Sequence, residues 1–218
     1  MEVAIVTGAS RGIGRAIALN LSHDFFVIVN YLRNEKKAMD TAAMIENGGG
    51  KAMIVQGDVS SYEDAKKIVE TAANVGDIHI LVNNAGVYEV KSFSLMRPSE
   101  WERIFQVNTY GPLNMTHAVV DYMNDGVIVN IASVIGIRPM PRAAPYSASK
   151  SALIAFTRAV SEEFGSRIKV VCVAPGPTNT DMLHMYHSDI STDPPEKVAD
   201  YVMYAIRKAH PGECVEVK

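Results

Sequence analysis

Two cysteines in 218 residues are too few for a disulfide framework, and both, Cys172 and Cys214, stand in apolar, strand-like stretches. Reduced core thiols are expected there rather than a disulfide, a metal site or a nucleophile. A surplus of positive charge is missing too: the formal net charge of −3 leaves no basic field for nucleic acid or an anionic membrane. No uninterrupted apolar run approaches the length of a membrane span, and Met1 to Val6 enters a strand with no cationic leader before it. A soluble, cytoplasmic protein with no nucleic-acid or membrane partner is expected. Repeats, low-complexity tracts and linkers are absent as well. With 48% hydrophobic residues the chain can bury one substantial core, so a single domain over residues 1–218 is expected.

What the chain does have is a regular alternation of strand and helix patterns. The apolar run Val3–Val6 ends in the glycine-rich turn TGASRGIG, Thr7 to Gly14, and opens into the helix-like RAIALNLS. Gly8 lets the chain leave the strand sharply, Gly12 lets backbone N–H groups approach a pyrophosphate, and Gly14 lets the helix pack close to the strand. The helix N-terminus then faces negative charge. Further strands are expected at Phe25–Asn30, Lys51–Val59, Ile78–Gly86 with its exit loop, Gly126–Ser133, Ile168–Gly176 and Gly212–Val217. Ser60 with Glu63 reads as a capping box for a helix to about Ala73. Ser99 with Glu102 reads as a second, for a long helix over about Glu100–Met123. Another helix is expected from Tyr146 to about Gly165, and a last one starting at Asp193 with Pro194 and Pro195 in its first turn.

Continuous apolar strands alternating with helices imply an α/β fold, a parallel sheet covered on both faces, with ligands bound at the carboxyl ends of the strands. That rim carries candidate chemistry. Tyr146 and Lys150 of YSASK share one helix face, where an ammonium can stabilise a tyrosinate. A phenol needs such a neighbour to exchange protons near neutral pH. Ser133 closes the fifth strand and can aim a hydroxyl at the same place. Asn108 is a polar residue inside an apolar helix; it either serves this rim or binds backbone.

TGASRGIG at Thr7–Gly14, NNAG at Asn83–Gly86, Asn108, Ser133, Tyr146 with Lys150, and Pro175–Gly176 followed by Thr180, Asp181 and Met182 resemble the short-chain dehydrogenases/reductases. The resemblance spans nearly the whole chain, and within the family it is greatest to the 3-oxoacyl-acyl-carrier-protein reductases. It implies a Rossmann-type doubly wound sheet of about seven strands and hydride transfer between nicotinamide and a carbonyl or alcohol carbon. Tyr146 would be the acid in reduction and the base in reverse, and Lys150 would hold the nicotinamide ribose and, with the positive nicotinamide of the oxidised cofactor, depress the Tyr146 pKa. Ser133 would hydrogen-bond the carbonyl oxygen, and Asn108 would hold a water linking Lys150 to solvent. No metal is implied, because the proton comes from Tyr146. His184 and His187, three apart with no third ligand, read as pocket or surface residues.

The resemblance also implies a cofactor-binding set. Gly8, Ser10, Arg11, Gly12, Ile13 and Gly14 form the turn, Asp58 and Val59 contact adenine, and Asn84, Ala85 and Gly86 line the ribose side. Pro175, Gly176, Thr178 and Thr180 lie by the nicotinamide amide and phosphates, with Tyr146 and Lys150. The second strand ends in Asn30, Tyr31, Leu32 and Arg33 with no acid, and Arg11 sits in the glycine turn; NADP is therefore expected, with NAD as the alternative. The segment of about 181–194 is shorter than the family's usual substrate lid, and the chain stops at Lys218 without the usual glycine-rich end. An open pocket, or one completed by another subunit, is the expectation. Arg167 suits an acidic carrier protein, but Asp121, Asn124 and Asp125 do not, so a generic small carbonyl substrate is expected. By resemblance the long helices pair into four-helix bundles, with Ala148, Ala152 and Ala155 permitting close approach. A homotetramer is expected, and a dimer second. The alternatives are an NAD-dependent alcohol or sugar dehydrogenase of the same family and a non-catalytic dinucleotide sensor. A sugar epimerase or dehydratase shares the Tyr–Lys pair but needs a long C-terminal domain for which there is no room.

Overall fold

The computed structural model describes residues 1–187 and 190–218, so the expected substrate loop of about 181–194 includes two positions, 188 and 189, outside the described residues. Along the chain come β1 (Glu2–Val6), α1 (Gly12–Leu21), β2 (Phe26–Tyr31), α2 (Glu35–Asn47), β3 (Lys51–Gln56), α3 (Tyr62–Val75) and β4 (Asp77–Asn83). Then follow α4 (Pro98–Phe105), a π-helical turn (Gln106–Tyr110), α5 (Gly111–Val119), β5 (Gly126–Ile131), α6 (Val134–Ile137) and α7 (Ala144–Phe164). The described chain closes with β6 (Ile168–Ala174), α8 (Asp181–His184), α9 (Pro195–Lys208) and β7 (Cys214–Glu216).

The seven strands form one parallel sheet in the order β3-β2-β1-β4-β5-β6-β7, a Rossmann-type arrangement. Alternate strand residues feed two cores because successive side chains point to opposite faces. Ala4 and Val6 of β1 join Ile17 of α1, Ile45 of α2 and Val202 of α9, while Val3 and Ile5 meet Ile68 of α3 and Met115 of α5. Burying both faces explains why the strands read as unbroken apolar runs. The strand order reverses between β1 and β4, which places a crevice at their carboxyl ends. Among the described residues no helix is long and apolar enough to cross a membrane.

Helix boundaries depart from the sequence reading in four places. Ser61, not Ser60, caps α3 by accepting the Asp64 N–H at 3.3 Å, because the Ser60 hydroxyl is bonded to Asp58 at 2.6 Å. Arg97, not Ser99, precedes α4; Pro98 takes its first position and Glu100 reaches back to the Arg97 N–H at 2.6 Å. The expected single long helix is interrupted by the π-turn that carries Asn108. Asp193 does not cap α9, which begins after Pro194. Its backbone instead bonds Pro177 and Asn179, so the chain runs past Thr178 after β6 and returns beside it at Asp193. Cys172 and Cys214 lie opposite each other on β6 and β7 as free thiols, the first buried and the second half-buried.

Candidate active site

At the β1–β4 crevice the glycine turn is held by side chains of neighbouring strand ends. Gly8 at φ +62° and Gly12 at φ +56° adopt the left-handed region, so the sharp exit from β1 depends on glycine there. The Thr7 hydroxyl accepts the Asn84 and Ala85 N–H groups at 2.9 and 3.0 Å. Asn84 donates to the Thr7 and Gly8 carbonyls, and a Cβ on Gly14 would come within 2.5 Å of the Asn84 amide nitrogen. Asn30 accepts the Gly8 N–H at 3.2 Å and donates to the Val55 and Gly57 carbonyls. The side chains of Asn30 and Asn84, expected among cofactor ligands, are thus engaged with the protein itself: they are rivets of the cradle.

This cradle suits a pyrophosphate. Helix α1 has no side-chain cap among the described residues, so its first-turn N–H groups face the crevice unpartnered by a side chain. Ser10, Ile13, Tyr31, Arg33, Val59, Ala85, Pro175, Gly176 and Thr178 share with the glycine turn one cavity of about 1010 Å³. A Cβ on Gly12 would touch the Thr180 methyl at 3.2 Å, so the β6 exit lies directly over the turn. Asp58 also lines the cavity. Burial works to raise its pKa, but hydrogen bonds from Ser60, helped by Arg103, hold it below the usual carboxylate range. A nicotinamide dinucleotide fits a groove with this glycine cradle at its centre and a carboxylate beyond the β3 end.

Deeper in the same cavity lie Ser133, Tyr146 and Lys150. Ser133 ends β5 and caps α6, Tyr146 opens α7, and Lys150 follows one turn later on the same face. The Lys150 ammonium is buried, donates to the Ile131 carbonyl at 2.7 Å and lies 5.8 Å from the centre of the Tyr146 ring. Burial brings its pKa down to about 8. The Tyr146 phenol is pushed up to about 12 by burial, against a lowering hydrogen bond with Ser133. In the chain by itself the lysine's bond goes to a backbone carbonyl and desolvation of the phenol dominates; the expected lowering of Tyr146 belongs to the complex with oxidised nicotinamide. Asn108, fully buried in the π-turn, accepts the Val87 N–H at 2.8 Å and donates to the Val87 carbonyl and to Ser149. Its side chain binds backbone, one of its two readings, and also reaches the Ser149 hydroxyl. Gly86 lets it approach Lys150, since a Cβ there would meet Asn108 Oδ1 at 3.3 Å and Lys150 Nζ at 3.7 Å.

Residues 2–191 match the family model of short chain dehydrogenases. The chain belongs to that family. A short-chain type dehydrogenase/reductase of Picea abies is 38% identical over 206 residues, 88% of this chain and 76% of the relative. A 3-oxoacyl-[acyl-carrier-protein] reductase of Synechocystis is 38% identical over 187 residues, 83% of this chain and 76% of the relative. Among solved structures, a short chain dehydrogenase of Burkholderia cenocepacia in complex with NADP superposes with a TM-score of 0.91 at 29% identity, covering 99% of this chain and 95% of that one. The protein is thus an oxidoreductase of the short-chain dehydrogenase type, a family that uses nicotinamide dinucleotides.

As a short-chain dehydrogenase it has features that spacing alone did not single out. Lys37 lies within 3.0 Å of the Asp181 carboxylate oxygen that Arg11 also holds, at 2.8 Å, a contact between distant segments that no local pattern marks. Tyr88 packs edge-on against Tyr146 with ring centres 4.7 Å apart, and its hydroxyl meets His187 at 3.2 Å. Tyr186 donates to Glu89 at 2.9 Å, so the segment after α8 folds down beside Tyr146. His184 pairs with Asn179 at 2.7 Å, away from His187.

Proposed function

We propose that this short-chain dehydrogenase is one dinucleotide-binding domain that transfers hydride between NADP(H) and a small carbonyl or alcohol. The observation that carries the reading is the convergence of the Tyr146 phenol, the Ser133 hydroxyl and the Lys150 ammonium in the cavity that begins at the glycine cradle. Bound nicotinamide would supply or accept the hydride. Tyr146 gives its phenolic proton to the substrate oxygen in reduction and takes it back in oxidation, while Ser133 donates a hydrogen bond to the same oxygen. Lys150 holds the ribose side, and Asn108 fixes the β4 exit next to it. Gly8, Gly12, Gly14 and the α1 N-terminus receive the pyrophosphate, Asp58 and Val59 the adenine, and Thr178 and Thr180 the nicotinamide end.

For the phosphorylated cofactor the support is electrostatic. Arg11 and Lys37 converge within 3.0 Å on one oxygen, Arg33 is exposed on the same rim, and β2 ends in Asn30 and Tyr31 rather than an acid. Exposed Asp121 and Asp125 at the end of the α4–α5 arm oppose an acidic carrier protein, which favours a free carbonyl compound over a carrier-bound acyl group. Steady-state oxidation of NADPH and NADH against ketones, ketoesters and sugars tests the whole reading. Faster turnover with NADPH on a small ketone is expected; no turnover with any of them would leave the chain a dinucleotide sensor.

A homotetramer, with a dimer second, is the assembly we favour. Helix α7 leaves Ala148 and Ala155 exposed, and the groove beside it, of about 530 Å³, is lined by Leu113, Phe156 and Phe164. Ala155→Arg should place a charge and a long side chain in that contact and yield smaller species by sedimentation velocity. Unchanged sedimentation would remove α7 from the interface.

A further inference from the structure

Asp181 holds two cations at the edge of the groove, Arg11 on its lining and Lys37 in the first turn of α2. Its Oδ2 accepts from Arg11 Nη1 at 2.8 Å and from Lys37 Nζ at 3.0 Å, joining the glycine turn, α2 and the first residue of α8. All three side chains remain partly in water, with exposures of 57% for Asp181, 52% for Arg11 and 38% for Lys37. The contact is one that a stronger anion can displace, because exposed ion pairs are weak and screened. The Lys37 hydrogen bond and, behind it, Arg11 hold the Asp181 carboxyl below its usual range, so it carries its charge throughout the neutral region.

We infer that Asp181 is a cofactor-selectivity residue, an internal carboxylate that competes with the 2′-phosphate of NADP(H) for Arg11 and Lys37. The inference rests on the reading above in which these cations take that phosphate. A phosphate monoester brings nearly two charges and three acceptor oxygens against the one charge and two oxygens of a carboxylate, so it wins the contest but gains less than it would on vacant cations. Linkage makes the effect reciprocal. The phosphate that displaces Asp181 also frees the first residue of α8, and with it the segment that lays Tyr186 and His187 against Glu89 and Tyr88 beside Tyr146. A dinucleotide without the phosphate leaves the latch closed.

Adenosine 2′,5′-bisphosphate and adenosine 5′-monophosphate differ only in the phosphate at issue, and calorimetric titration of both into wild type and Asp181→Asn at low salt reads it directly. Asparagine keeps the shape and removes the charge at an exposed position. The bisphosphate should bind the variant roughly three- to tenfold more tightly than wild type, with the monophosphate unchanged within about twofold. If wild type prefers the bisphosphate and the variant shows no added preference, or gains equally for both ligands, the competition is overturned and the phosphate role of Arg11 and Lys37 stands. If neither protein distinguishes the two ligands, that role fails and the inference falls with it.

Discussion

Tyr146→Phe should bind NADPH as the wild type does and lose about 10²–10⁴-fold in turnover, the range that one positioned acid–base group supplies. The substitution removes a single oxygen. The ring keeps its edge-on contact with Tyr88, and the glycine turn with its clamps is untouched. Fluorescence titration of NADPH should therefore give an unchanged Kd while steady-state kcat collapses; a variant that still turns over at the wild-type rate would remove Tyr146 from the chemistry. Because burial pushes the phenol up to about 12, it stays protonated across the neutral range, which suits proton donation to a carbonyl oxygen. On account of Tyr146, reduction should be flat with pH through the neutral range.

The glycine turn and the Tyr146–Lys150 pair were legible in the sequence because each is a local pattern: a strand running into a helix, and two residues one helical turn apart. The sheet was legible for a related reason, since doubly buried strands must be apolar throughout. Contacts between distant segments were not. Asn108 interrupts its helix to hold Val87, and Lys37 meets Asp181 across the groove; neither partner is marked by periodicity. The capping residues slipped because Ser60 was drawn to Asp58 and Glu100 was available to Arg97, choices that local composition leaves degenerate.

Asn30 and Asn84 teach a further point. A polar residue at a strand end can face a ligand or satisfy buried backbone, and the sequence marks both alike. Here the turn that leaves the first N–H groups of α1 without a side-chain cap also leaves its own carbonyls without a ladder, and buried carbonyls require donors. Asn84 fills that need for Thr7 and Gly8, while Asn30 ties the turn to β3. A similar chain, Asn83 to Asn130 to Thr157, crosses the core beneath the site and joins β4 and β5 to α7, which bears Tyr146 and Lys150. The glycine turn and the helix that carries Tyr146 and Lys150 are thus tied into one hydrogen-bonded frame.

Lys150→Met should abolish most activity and change the stability of the fold in a pH-dependent way. Burial lowers the Lys150 pKa from 10.5 to about 8, so below pH 8 the folded protein carries a charge it holds less well than the unfolded chain does. The unfolded state binds the extra proton between the two values, and wild-type stability therefore rises with pH across that window. The full penalty at neutral pH is about 3 kcal/mol. Methionine removes the penalty and with it the bond to the Ile131 carbonyl, an orphaned acceptor that costs about 1–3 kcal/mol at every pH. Relative to wild type the variant should lose about 3 kcal/mol between pH 7 and pH 10.5 in denaturant titrations, ending less stable once lysine is neutral in both states. A stability difference that does not move with pH would mean that Lys150 is not a desolvated ammonium. In wild type the reductive rate should fall as pH rises through about 8, where Lys150 gives up its proton and the ribose side loses its cation.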